Sequence, residues 1–133
     1  NWDSHELTRV ARRQRPMCRR ERYQDDPLFA STKVVVSLYD DEFSEGLDPG
    51  MKKKTLIEGI KPKEVDLLSA PDYTTLSKLA ISYSDGVIMG AESVNEVAQK
   101  YAKTLKKPVL KYQSPEQYIQ KYAKIYNKML AND

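Results

Sequence analysis

The residues best suited to chemistry are three adjacent acids, Asp40-Asp41-Glu42, directly after a β-branched run at residues 33–39. Carboxylates at the carboxyl end of a strand can contact sugar hydroxyls or hold a divalent cation. Open α/β sheets place their ligands at that end. The same acids also make a solvated turn, because three charges cannot continue into a sheet interior. Lys52-Lys53-Lys54 offers either positive charge for a phosphate or a solvated surface. Tyr118, Tyr122 and Tyr126 recur every four residues. That spacing presents stacking faces for sugars or, more simply, the buried side of a helix.

Several chemistries lack their residues. His5 is the only histidine and Cys18 the only cysteine, so neither a His pair nor a Cys-based zinc cage can form within the chain. Gly86 and Gly90 bracket an apolar run and do not build a phosphate loop, and there is no G-x-S-x-G elbow. No metal or cofactor is expected. No run approaches the roughly 18 apolar residues of a membrane span, and no signal-peptide core is seen. A cytoplasmic, reducing setting without membrane association is the expectation. The net charge of +3 is too small to argue for nucleic acid.

The positioning elements begin after a compositional break. All seven arginines lie at or before Arg22, and all fifteen lysines lie at or after Lys33. Residues 1–30 therefore read as an Arg-rich leader, irregular or non-native in origin, with a nucleic-acid-binding arm as the alternative. Leu7, Val10 and Met17 keep no period, and Pro16 would interrupt a helix. An out-of-frame start to the coding sequence would account for the split. Residues 31–133 form the domain.

Within that domain, residues 33–39 read as a buried strand, followed by a turn-rich loop and an ambiguous stretch at residues 51–60. Pro62 suits the first turn of a short helix over residues 63–69. A second helix, residues 73–84, aligns Leu76, Leu79, Ala80 and Tyr83. Residues 86–90 form a central parallel strand. Ser93 and Glu96 match a capping box for a helix whose stripe is Val94, Val97, Ala98, Tyr101, Ala102 and Leu105. After a strand at residues 108–112, Ser114 and Gln117 match another. That last helix should bury Tyr118, Ile119, Tyr122, Ile125, Tyr126, Met129 and Leu130. Strands alternating with helices predict an α/β fold, a Rossmann-like three-layer parallel sheet. Three strands are few for such a sheet, so the chain is expected to be part of a larger domain.

Three segments carry a family resemblance: Val34-Val35-Val36-Ser37-Leu38-Tyr39-Asp40-Asp41-Glu42-Phe43, Lys78-Leu79-Ala80-Ile81-Ser82-Tyr83-Ser84-Asp85-Gly86-Val87 and Tyr112-Gln113-Ser114-Pro115-Glu116. Over residues 33–130 the chain resembles the C-terminal half of the N-terminal domain of bacterial glycogen and starch synthases, glycosyltransferase family 5. The short, single-domain forms of Bacteroidetes are the nearest likeness. The resemblance implies part of a GT-B enzyme that moves glucose, without a metal, from ADP-glucose to the end of an α-1,4-glucan.

In that family the matching strand ends in His-Asn, and the His contacts the donor sugar. Tyr39 and Asp40 take those places here and are the substrate-binding residues the resemblance implies. A tyrosine donates a hydrogen bond but is no cation near neutral pH, so the departure counts against catalysis. The family's donor loop and second domain have no counterpart, which makes a fragment inactive on its own the leading expectation. The alternative is a non-catalytic module binding glucan or a protein partner. A truncated sheet would expose an edge through which the chain forms a homo-oligomer.

Overall fold

The computed structural model of the chain describes residues 25–56 and 60–131. Residues 1–24 of the leader, with Trp2, His5 and Cys18, lie outside the described residues, as do residues 57–59 of the ambiguous stretch. The elements are β1 (Val35–Leu38), α1 (Met51–Lys54), a 3₁₀ helix (Pro62–Ser69), α2 (Tyr73–Ser82), β2 (Gly86–Met89), α3 (Glu96–Thr104), β3 (Val109–Leu110) and α4 (Tyr118–Ala131). The strands form one parallel sheet in the order β1-β2-β3. Leu38 lies beside Met89, and Ile88 beside Leu110. This is a small α/β arrangement built on a three-stranded parallel sheet.

The alternation of side chains along the strands assigns each residue to a face. Val36, Leu38, Val87 and Met89 pack with Ala80 and Ile81 of α2 and with Ala98 and Ala102 of α3. Ile88, flanked by half-buried Val35 and Leu110, packs on Ile125 and Met129 of α4. All four residues of β2 are buried, as a strand covered on both faces requires. A separate cluster fills the connection from β1 to α2, joining Met51, Ile60, Val65, Leu68, Leu76 and Leu79. Val65 and Leu68 share a face because a 3₁₀ helix turns once every three residues.

Helix boundaries depart from the sequence expectation. The capping box among the described helices opens α2: the Asp72 carboxylate accepts the Thr75 N–H at 2.7 Å, and the Asp72 N–H donates to the Thr75 hydroxyl at 2.8 Å. At α3 the cap is Asn95, not Ser93; its side-chain oxygen accepts the Ala98 N–H at 3.1 Å. Asn95 sits directly before the first helical residue, and Ser93 lies two residues too early. At α4 the chain makes a turn over residues 115–117 before the helix begins, and the Ser114 hydroxyl is directed to the Glu116 carboxylate at 3.3 Å. The C-terminal end of α2 is closed by the Lys107 ammonium, which donates to the carbonyls of Ser82 and Ser84. A cation there answers both the orphan carbonyls and the helix dipole.

Two burial expectations are corrected. β1 is an edge strand of the described sheet and buries alternate residues, leaving Ser37 exposed. On α4 only Ile125 and Met129 are buried, while Tyr118, Ile119, Tyr126 and Leu130 are exposed. The apolar arc of α4 is wider than the strip of short strands beneath it, so one helix cannot bury the whole arc.

Candidate functional site

The same alternation that sorts the core also gathers a second set of residues. Tyr39 follows β1, Gly90 follows β2, and Tyr112 lies two residues past Leu110. Carried one or two residues beyond the ladder, the register sets these three side by side on the α4 face. The Gly90 N–H donates to the Leu38 carbonyl at 2.7 Å, which joins the ends of β1 and β2. A Cβ at Gly90 would overlap the Tyr39 ring, so the ring lies across the space that this glycine leaves open. Gly86, on the same face at the other end of β2, does the same for the Met129 side chain. α4 therefore runs back along the sheet, with Tyr118 at the carboxyl ends of the strands and Met129 at their amino ends.

The tyrosines of α4 complete the set. Tyr118 and Tyr122 pack edge to face with ring centroids 5.5 Å apart, and Tyr122 and Tyr126 do so at 6.2 Å. Both spacings fall within the favourable range for such pairs. Burial pushes the Tyr122 phenol above its ordinary pKa, with smaller upward contributions from Tyr39, Tyr126, Tyr118 and Tyr112. Five of the nine tyrosines thus share one neighbourhood. Tyr39, Tyr112, Tyr118 and Tyr126 keep 50%, 37%, 43% and 41% of their surface in contact with solvent. These are not core rings, which corrects the reading that made the α4 tyrosines the buried side of a helix.

The two flanks of α4 differ in charge. At about 100° per residue, Ile125 and Met129 face the sheet. Tyr122 and Tyr126 then lie to one side, and Lys121, Lys124 and Lys128 to the other. The lysines line an open groove with Pro108, Val109, Leu110 and Ile125.

The acids after β1 are held by their surroundings. The Tyr73 hydroxyl donates to the Tyr39 carbonyl at 3.0 Å, and Phe43 packs edge to face on Tyr73 at 5.7 Å. Asp40 and Glu42 are exposed and Asp41 half-buried. Among the described residues no three acidic, His or Cys side chains gather so as to hold a metal. The structure thus brings Tyr39 to the tyrosine cluster and leaves Asp40 exposed to solvent. Lys52 and Lys54 are engaged elsewhere: Lys52 pairs with Asp66 at 2.7 Å and Lys54 with Asp48. Hydrogen bonds from Lys54 and from the Gly50 N–H lower the Asp48 pKa.

Gly90 and Tyr112 escaped the sequence reading as site residues. Their signal was the period-two alternation continued past each strand, with Gly opposite a large ring. The comparisons with known proteins add no relative: no family model, no curated protein and no solved structure matches this chain. Among the described residues no helix is long and apolar enough to cross a membrane.

Proposed function

We propose that this α/β unit is a Rossmann-like, glycogen/starch synthase-type module whose strand ends contact the glucose units of an α-1,4-glucan. By itself it binds and does not transfer. The observation that carries the reading is the row Tyr39–Gly90–Tyr112, solvent-facing rings at the carboxyl ends of parallel strands. Ligands of open α/β sheets bind at that end. A phenol ring supplies an apolar face for a sugar and a hydroxyl for its hydrogen bonds. Asp40, beside Tyr39, supplies a carboxylate that accepts from sugar hydroxyls.

A binding role suits the residue types better than catalysis does. Transfer from ADP-glucose needs groups that stabilise a departing diphosphate, and the groups gathered here are phenols and carboxylates. In the enzymes that the sequence resembles, two domains close on the donor. Losing that positioning forfeits on the order of 7 kcal/mol of barrier reduction. A cytoplasmic setting belongs to the same reading.

The test is a titration of the purified chain, followed through its backbone amides, with maltotriose and separately with ADP-glucose. Saturable shifts at residues 39–43 with maltotriose are expected. Shifts with ADP-glucose alone would transfer the site to the donor side, and silence with both would remove the sugar-binding reading.

A further inference from the structure

The lysine flank of α4 and the outer side of β3 meet in a groove that the sugar-binding reading does not use. Pro108, Val109, Leu110 and Ile125 form its floor, and Lys121, Lys124 and Lys128 its rim. The rim holds every charged residue of α4, which carries no acid. All three lysines are exposed, and among the described residues none forms an ion pair. At about 270 Å³ the groove is smaller than an ordinary small-molecule cleft.

The backbone beside it is open as well. The Pro108 carbonyl accepts the Val87 N–H at 2.9 Å, and Leu110 is in register with Ile88. Successive residues of a strand direct their backbone groups to opposite sides, so the N–H and C=O of Val109 point away from β2. β3 ends the described sheet, and none of its strands lies on that side. We infer that this edge and groove dock an acidic segment of another protein in extended conformation. The segment adds to β3 as a fourth strand and sets alternate carboxylates against Lys121, Lys124 and Lys128. This inference stands apart from the sugar-binding reading.

Charge and geometry select the occupant. Three like charges with no acid among them attract carboxylates or phosphates. An open strand edge is matched by another extended backbone, which neither a nucleic acid nor a lipid surface supplies. The lysines also suit the repeat of a strand. Lys121 and Lys128 stand about 10.5 Å apart along the helix axis, and alternate residues of a strand about 6.7 Å apart. Two or three carboxylates therefore fall within reach of the rim, with their methylenes on the apolar floor.

The experiment is a fluorescence-anisotropy titration of the full chain, at low salt, with a labelled nine-residue peptide alternating Thr and Glu. Saturable binding is expected, weakening as NaCl is added and lost when alternate peptide amides are N-methylated. Lys124→Gln should weaken it about two- to fivefold, and the combined Lys121→Gln, Lys124→Gln, Lys128→Gln variant about tenfold or more. Lys103→Gln makes the same charge change at an exposed site on α3, which packs on the opposite face of the sheet, and should leave binding unchanged. Absence of saturable binding, equal weakening by Lys124→Gln and Lys103→Gln, or indifference to N-methylation would overturn the proposal. Single-stranded oligothymidylate that binds more tightly than the peptide, through the same lysines, would make the groove a polyanion site and overturn it too.

Discussion

Beneath α2 and α3, Val36, Leu38, Val87 and Met89 are sealed by small residues, Ala80, Ala98 and Ala102, which let the helices approach the sheet closely. On the opposite face, Ser37 meets solvent and the rings of Tyr39, Tyr118 and Tyr126 stay half open beside a single helix. Both faces use the same strands and the same alternation. They differ in the size and polarity of what the helices bring. Alanines allow contact along a whole helix, whereas α4 seats Met129 and Ile125 and carries its tyrosines past the edge of the strip beneath it. The closed face supplies stability, and the open one stays accessible to solvent.

The largest expected contrast is energetic. Leu38→Ala, in the sealed layer, should cost about 2–5 kcal/mol in denaturant unfolding. Tyr126→Ala, on the open face, should cost less than about 1 kcal/mol. Equal losses would erase the distinction between the faces. A smaller effect of opposite sign is expected at Ser77, whose hydroxyl is fully buried in α2 without a hydrogen-bond partner. Ser77→Ala removes that desolvated group and should stabilise the chain by about 1 kcal/mol. A loss of stability would mean that the hydroxyl is satisfied in solution.

The smallest effect concerns pH. The Tyr122 phenol has a raised pKa in the folded chain, chiefly from burial, so folding favours its protonated form. Its contribution is complete below the ordinary tyrosine value of about 10 and is lost as pH rises through the folded value. Tyr122→Phe should therefore flatten the fall in stability at the alkaline end and change nothing at neutral pH. An unchanged alkaline profile would place Tyr122 in water, outside the cluster.

Much of this arrangement was legible in the residues, for reasons that also mark where reading stopped. The apolar run between Gly86 and Gly90 gave the central strand, because burial on both faces leaves no polar position in it. The acids from Asp40 to Glu42 stood out by their place after a strand, whereas Tyr39 entered as a site residue only through the family resemblance. Ser93 and Ser114 misled because a Ser-x-x-Glu or Ser-x-x-Gln pattern does not say which neighbouring side chain wins the cap, and Asn95 stood closer to the first turn of α3. The α4 tyrosines were misread because helical periodicity reports an apolar arc and not how much sheet lies beneath it. The pairing of Gly90 with the Tyr39 ring depends on a contact between separate strands, which one sequence does not display.

The most direct measurement of the central claim follows the tyrosine rings themselves. The chain is prepared with isotope-labelled tyrosine and titrated with maltoheptaose, and the ring resonances are recorded by NMR. Those of Tyr39 and Tyr112 should move together and saturate. Tyr73, bonded to the Tyr39 carbonyl, and Tyr101, whose hydroxyl meets Ser82 at 3.0 Å, should move much less. Tyr39 and Tyr112 rings that stay fixed while the sugar is in large excess would contradict the account.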